Sequence, residues 1–468
     1  MIHLESRTPR SKRPLVLTLL VIVTVVLLAG GFYLAPRFES QAPVITLTPD
    51  SDVVGKAPME ISVTDQGTGL KSITATLSAA GTEHPVSTEI FATPTGEKKL
   101  SVEVAKLAGI KEGPAVLRVV ARDGSLFSGN ETVLQKEITI DVTPPTLQLI
   151  AEDRYINFGG AGAIVYKPSA DTATSGVRVG DHLFPGHKGQ VKGKEDHYVA
   201  LFAHPYDAPP NAKAFLVATD KAGNTREMGL SYELKNVKYR KSTIAVSDSF
   251  IESKVAPLLS GGDAKEGGAK ETFLAVNNRL RKENDNRIAA ITKKSTSARQ
   301  WDGAFVQLSN SKVEANFADE RTYTYKGEAI DKAYHLGYDL SVTERYPAEA
   351  ANAGTVVFAG DLGIYGNTVI LDHGLGLFTL YSHLSAIDVK EGDTVKLRQA
   401  MGRTGETGLA AGDHLHYGVY LHGVAVLPVE WWDAKWIKDN IEPKLAGMSG
   451  DEIAEMQQPK RAGQKRRR

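Results

Sequence analysis

From residue 43 to about 236 the chain alternates apolar and polar positions. VITLTP, MEISVTD, SITATLSA, AVLRVVARD, KEITIDV, LQLIA, HYVALFA and AFLVATD follow one another, rich in valine, isoleucine and threonine and separated by Gly, Asp, Asn and Pro. Successive side chains of a strand face opposite ways, so this period of two predicts a series of half-buried strands. The period changes at residue 237. SDSFIESKVAPLL and KETFLAVNNRLRKENDNRIAAI place Phe273, Val276, Leu280, Ile288 and Ile291 at helical spacing, which predicts two helices joined by the glycine-rich loop SGGDAKEGGAK. From residue 300 to about 440 alternation returns in VVFAG, NTVILDH, LFTLYSHL and HLHYGVYLHG.

The first β region carries a weak repeat. Pro43 opens one segment and Pro145 the next; VVARD ends at Asp123 ahead of Gly129-Asn130, and LVATD ends at Asp220 ahead of Gly223-Asn224. A period near one hundred residues predicts two β-sandwiches, at 43–143 and 144–236. Their D…GN endings resemble bacterial immunoglobulin-like modules, which implies spacers or adhesive surfaces able to meet a protein partner. The helical region 237–299 is a second candidate for that role.

One stretch has no polar period at all. LVLTLLVIVTVVLLAGGFYLA, residues 15–35, lacks any charged side chain. As a helix it would be about 32 Å long, the thickness of a bilayer core. Arg7, Arg10, Lys12 and Arg13 precede it, so residues 1–14 are expected in the cytoplasm and the bulk of the chain outside the inner membrane, in the periplasm or extracytoplasmic space. A cleaved signal peptide is the rival reading; the run is long for one, and Pro36 and Pro43 crowd the place of a cleavage site. At the other end, PKRAGQKRRR makes 441–468 a basic, flexible tail.

Composition narrows the chemistry. Lys+Arg and Asp+Glu balance at 55 each, which gives no electrostatic case for nucleic acid. No cysteine is present, so disulfides, thiolate metal sites and cysteine nucleophiles are excluded. Six of the 12 histidines fall between residues 335 and 422: His335, His373, His383, His414, His416 and His422. They form three local patterns, HLGYD, YSHL and HLH. Each is weak alone. Together, imidazole nitrogen and aspartate oxygen suit Zn²⁺ where no thiolate exists, and three protein ligands leave a fourth position for water.

Residues 331–432, HLGYDL…GTVVFAGDLGIYGNTVILDHGLGLFTLYSHLSAIDVKEGDTVKLRQAMGRTGETGLAAGDHLHYGV, resemble the lysostaphin/LytM-type zinc metallopeptidases, which cut peptides in bacterial cell walls. The resemblance implies an antiparallel β peptidase domain at 300–440 and one Zn²⁺ held by His335, Asp339 and His416. His383 and His414 would be the catalytic histidines. It implies an active peptidoglycan endopeptidase; the alternative is a non-catalytic relative that regulates wall hydrolases, but such relatives lack one or more of the five positions filled here. The remaining positions read as follows: His373 structural, His422 exposed in a turn, Asn367 in a turn, Tyr381 either at the cleft or in packing, Asp413 facing away from the site, and Trp431 and Trp432 as a packing anchor.

Overall fold

The computed structural model describes residues 13–34, 38–126, 129–259 and 268–457, excepting the side chains of 13–16 and 33–34. The basic residues 1–12, most of the loop read at 260–270 and the last residues of the basic tail lie outside them. Strands dominate, as the alternation predicts. Arg13–Leu34 is a 22-residue helix whose apolar side chains, from Leu17 to Phe32, are exposed. Among the described residues no helix is long and apolar enough to cross a membrane. The anchor expected at 15–35 runs past the described side chains, which cover only 17–32, and the structure does not carry it.

The chain divides into two compact units: residues up to Pro144 with Asp220–Asn224, and Pro145–Thr219 with Thr225 onward. In the first, a three-stranded sheet (Val44–Thr48, Met59–Thr64, Glu97–Val102) and a five-stranded sheet (Val53–Val54, Glu131–Ile140, Gly113–Asp123, Leu70–Ala79, Thr82–Thr95) share one core. Ile61 and Val63 enter it from one sheet, and Ile73, Leu77, Leu117 and Val119 from the other. Each such side chain contributes roughly 1.5–3 kcal/mol by leaving water. The repeated D…GN signature is a clasp. The Asp123 carboxylate accepts from the Asn130 backbone N–H and side-chain amide at 2.7 and 2.8 Å, and Asp220 accepts the same pair from Asn224 at 2.9 and 3.0 Å.

The second unit begins with two four-stranded sheets. One runs in the order His187–Lys188, Tyr198–Ala203, Ala161–Pro168, Leu147–Ala151; the other His182–Pro185, Thr172–Val179, Ala214–Asp220, Thr225–Gly229. An eight-stranded antiparallel sheet follows, in the order Lys312–Ala315, Tyr338–Ser341, Leu415–Leu421, Leu377–Leu384, Asn367–Asp372, Gly354–Asp361, Thr394–Val395, with Val424–Val426 paired to Leu415–Leu421. Its two middle strands, Leu377–Leu384 and Leu415–Leu421, are buried at every position.

Residues 145–219 are not a free-standing spacer. Val165, Leu201 and Phe202 belong to the same apolar core as Leu340, Tyr381 and Val419. Polar bonds reinforce the junction: Glu430 accepts from Asn157 Nδ2 and the Ala161 N–H, both at 2.7 Å, and buried Lys444 pairs with buried Asp153. Lys444 also corrects the reading of 441–468 as flexible. Glu442–Leu445 and Gly450–Gln457 are helical and bury Leu445 and Ile453; low complexity begins only after them.

Helical turns do occupy 248–258 and 269–291. Ahead of them, within the region read as helical, lies a strand, Lys241–Val246, which pairs in parallel with Glu320–Tyr325. Its partner is some eighty residues downstream, beyond the reach of local periodicity.

Candidate metal centre

Register brings the three histidine patterns together. Tyr338–Ser341 pairs with Leu415–Leu421 so that Asp339 lies opposite His416, and Leu377–Leu384 pairs on the other side so that Ser382 lies opposite His416. His335 precedes the first strand, His383 is the last residue but one of the second, and His414 stands just before the third. All five expected residues meet at one place.

Three donor atoms form a near-equilateral triangle. His335 Nε2 lies 2.9 Å from Asp339 Oδ1 and 3.0 Å from His416 Nδ1, and His416 Nδ1 lies 3.0 Å from the same carboxylate oxygen. The group can hold a metal ion. His335 Nδ1 donates to the Asn316 carbonyl at 2.9 Å, so the neutral ring turns a lone pair inward. His416 Nδ1 faces the same point, and its buried Nε2 has no hydrogen-bond partner among the described residues. Lone pairs from two imidazoles and a carboxylate converging at this distance repel unless a cation is shared. Tetrahedral sites with bonds of about 2.0–2.1 Å put neighbouring ligand atoms about 3.3–3.4 Å apart, close to the observed spacing. The chemistry and the spacing of the donors both fit Zn²⁺.

The other two histidines stand beside this group. The His383 and His414 rings are 4.8 Å apart, and His414 Nε2 approaches Asp339 Oδ1 at 3.5 Å. Each has its tautomer set by a backbone carbonyl: His383 Nδ1 donates to Thr407 at 2.7 Å and His414 Nδ1 to Gly412 at 2.8 Å. His383 Nε2 is thereby left for a reacting group, while His414 Nε2 faces Asp339. His383 has a φ of 62°, a left-handed conformation that costs a non-glycine residue energy and that often marks a functional position.

Burial and charge tune the cluster. Burial pushes His383 down to about 3, with the neighbouring His414 and His416 adding to the effect. Burial likewise takes His416 to about 4, against the pull of Asp339. For His414 burial opposes the charged form, but the bond to Asp339 and its charge outweigh it, and the net shift is upward. Burial disfavours the Asp339 carboxylate too, yet the surrounding histidines hold it well below the ordinary range.

Residues that sequence patterns did not flag complete the site. Arg321 Nη2 donates to Asp339 Oδ2 at 3.1 Å, leaving Oδ1 for the triangle. The Tyr365 ring lies 5.6 Å from that of His416, and its hydroxyl donates to Asp285 at 2.7 Å, tying the site to the helix Arg281–Ile291. Gly337, inside HLGYD, lies against the metal-facing histidine: a Cβ there would meet Tyr417 O at 2.5 Å and His416 Nε2 at 2.7 Å. A cleft of about 620 Å³ opens over the five residues.

The remaining positions are structural. His373 is buried between the Ala353 carbonyl and Thr379. Tyr381 is buried, accepts from the Ala351 N–H at 2.8 Å and lies off the cleft. Asn367 bonds the Leu384 carbonyl, and Asp413 bonds the Arg345 N–H away from the triangle. Trp431 packs edge-on to Trp301 and Phe305, and Trp432 stacks on Tyr417. His422, expected to be exposed, is instead buried and stacks on His187 at 5.5 Å. Its turn is covered by the preceding β module, a long-range contact that the local sequence does not show.

Residues 333–428 match the model of Peptidase family M23. Over 95 residues the chain is 40% identical to the DD-carboxypeptidase/endopeptidase Mpg of Neisseria meningitidis, a match covering 20% of this chain and 22% of that protein. Over 112 residues it is 33% identical to the peptidoglycan DD-endopeptidase ShyA of Vibrio cholerae, covering 24% and 25%. The match thus spans about a quarter or less of these relatives' length. Among solved structures, the catalytic domain of the antimicrobial peptidase lysostaphin from Staphylococcus simulans aligns with 26% of this chain and 92% of its own, at 28% identity and a TM-score of 0.23.

Proposed function

From the M23 peptidase domain at residues 333–428 we infer that this chain is a zinc metalloendopeptidase that hydrolyses peptide bonds of cell-wall peptidoglycan. From the sequence alone, we further propose that the uncharged apolar run at residues 15–35 tethers it to the cytoplasmic membrane, with the bulk of the chain on the outer side. The observation that carries the catalytic reading is the convergence of His335, Asp339 and His416 donor atoms within 3.0 Å, beside two further histidines.

His335, Asp339 and His416 would hold the ion through Nε2, Oδ1 and Nδ1. A bound Zn²⁺ supplies a Lewis acid for the scissile carbonyl and lowers the pKa of water towards neutrality. The protein's own residues do the rest. Backbone carbonyls of Thr407 and Gly412 fix His383 and His414 with Nε2 turned toward the centre, His414 Nε2 standing beside Asp339, so both rings are positioned to take up and return protons and to hydrogen-bond a developing oxyanion. Arg321 keeps the Asp339 carboxylate from turning, and the buried strands beneath hold all five side chains to one geometry.

The test is to purify the full chain in detergent, measure bound zinc, and identify by mass the fragments released from isolated peptidoglycan. Zinc at one per chain with release of peptide-cleaved fragments is expected. A metal-free chain that releases nothing would overturn the enzyme reading and favour a regulator of other wall hydrolases. Protease accessibility in spheroplasts tests the tether, since a protected C-terminal region would overturn the outward orientation.

A further inference from the structure

The cleft over the metal centre is walled on one side by residues outside the M23 match, and it touches them in an unusual way. Residues 242 to 247 all line it, in unbroken succession. The face of a strand presents only alternate residues. The neighbouring strand Glu320–Tyr325 does so here, contributing Arg321 and Tyr323 alone. Six consecutive lining residues mean that the cleft runs along the edge of Lys241–Val246, not over its face.

Among the described residues that edge has free hydrogen-bonding groups. In the three-stranded sheet, Lys241–Val246 is outermost and, among the described residues, pairs with Glu320–Tyr325 alone. The Glu320 N–H donates to the Arg240 carbonyl at 3.0 Å, which fixes the phase of the parallel ladder: residues 240, 242 and 244 point their backbone groups inward, and Thr243 and Ala245 point theirs outward. Thr243 and Ala245 are exposed. Leu409–Ala411, Tyr365 and the triangle of His335, Asp339 and His416 line the same space.

We propose that the backbone edge of Thr243 and Ala245 is a substrate subsite that binds an extended peptide as an added strand and feeds it across the metal centre. The inference rests on the peptidase reading above. A strand's edge recognises main chain more than side chain, which suits a peptide of mixed stereochemistry and short side chains. It also makes the segment ahead of the M23 match part of the enzyme's specificity.

Ala245→Pro and Thr243→Pro delete one outward N–H each, and edge positions tolerate proline because no ladder bond is lost. The probe is soluble muropeptides, released from peptidoglycan by a glycan-cutting lysozyme and offered to the zinc-loaded full chain. Each proline variant should raise KM about five- to tenfold, the equivalent of one hydrogen bond, with kcat, zinc content and Tm held. Ala245→Val, which keeps the N–H, should behave as the wild type. Unchanged KM in the proline variants, with zinc and Tm intact, would overturn the subsite. If either variant misfolds, wild-type enzyme assayed on a peptide N-methylated at one backbone position in turn decides the matter instead: the subsite requires at least one position, away from the scissile bond, at which methylation weakens binding. Failure of the peptidase reading is separate, because calorimetric muropeptide binding that the proline substitutions weaken would uphold the edge even in a chain that cleaves nothing. A wild-type dimer that the prolines dissociate would overturn the proposal and assign the edge to a second copy.

Discussion

Arg321 and Asp339 divide a carboxylate between two tasks: Nη2 of the arginine holds Oδ2 at 3.1 Å, while Oδ1 stands 2.9 and 3.0 Å from His335 and His416. Outer partners of this kind orient a ligand and are typically worth about 10–100-fold in metal affinity. Arg321→Met should therefore lose zinc to a competing chelator about 10–100-fold more readily, with the far-ultraviolet circular dichroism unchanged. Equal affinity in the two proteins would mean that the strand alone orients Asp339.

His416 and His383 should separate on substitution. His416→Ala removes a corner of the triangle and should lose both zinc and peptide release. His383→Ala should retain zinc, measured by atomic emission, while activity falls about 10²–10⁴-fold, the usual weight of a general acid–base group. Zinc loss in His383→Ala would show that the histidine serves the metal.

Gly337→Ala probes how closely the motif backbone approaches its own ligand. The new methyl would sit 2.7 Å from His416 Nε2 and 2.5 Å from a backbone oxygen, and a backbone neighbour cannot swing aside. Weaker zinc binding and a lower Tm are expected together in a thermal melt with and without added zinc. A variant indistinguishable from wild type would show that the strand relaxes.

The stacked pair His187 and His422 should set an acid limit to stability. Burial lowers both, His422 from 6.5 to about 4, with the charge of His187 adding to the effect. The unfolded chain therefore binds protons first as pH falls, so stability present above about 6.5 is lost on the way down to about 4. Glu430 acts in the opposite sense: burial lifts it from 4.5 to about 7, so its ionisation costs stability as pH rises through that range. His187→Phe keeps a ring against His422 and removes one titrating group. Urea melts from pH 4 to 7 should show a shallower acid limb in the variant; an unchanged slope would place the protons elsewhere.

The parts of the site that can be read from the chain are those set by short spacing. HLGYD and HLH each place two groups within four residues, and glycine turns between alternating strands announce the sheet that joins them. Arg321 and Tyr365 sit in no such pattern; they matter because Glu320–Tyr325 and the turn before Asn367 fold back onto the triangle. The strand at Lys241–Val246 is hidden for a related reason. Its β-branched residues are too few to outweigh the helical spacing that follows, and its partner is remote. The exposure expected of His422 fails because its cover comes from a module more than two hundred residues earlier.

The buried Lys444–Asp153 pair bears on how such a chain can be rearranged by recombination. A fragment running from the start of the family match at residue 333 to Gln457 would keep Lys444 without Asp153 and would strip Val165, Leu201 and Phe202 from the core they share with the sheet that carries the histidines. The M23 domain of this chain is thus not an interchangeable cassette. Shuffling that preserves it has to carry the stretch from Pro145 along with it.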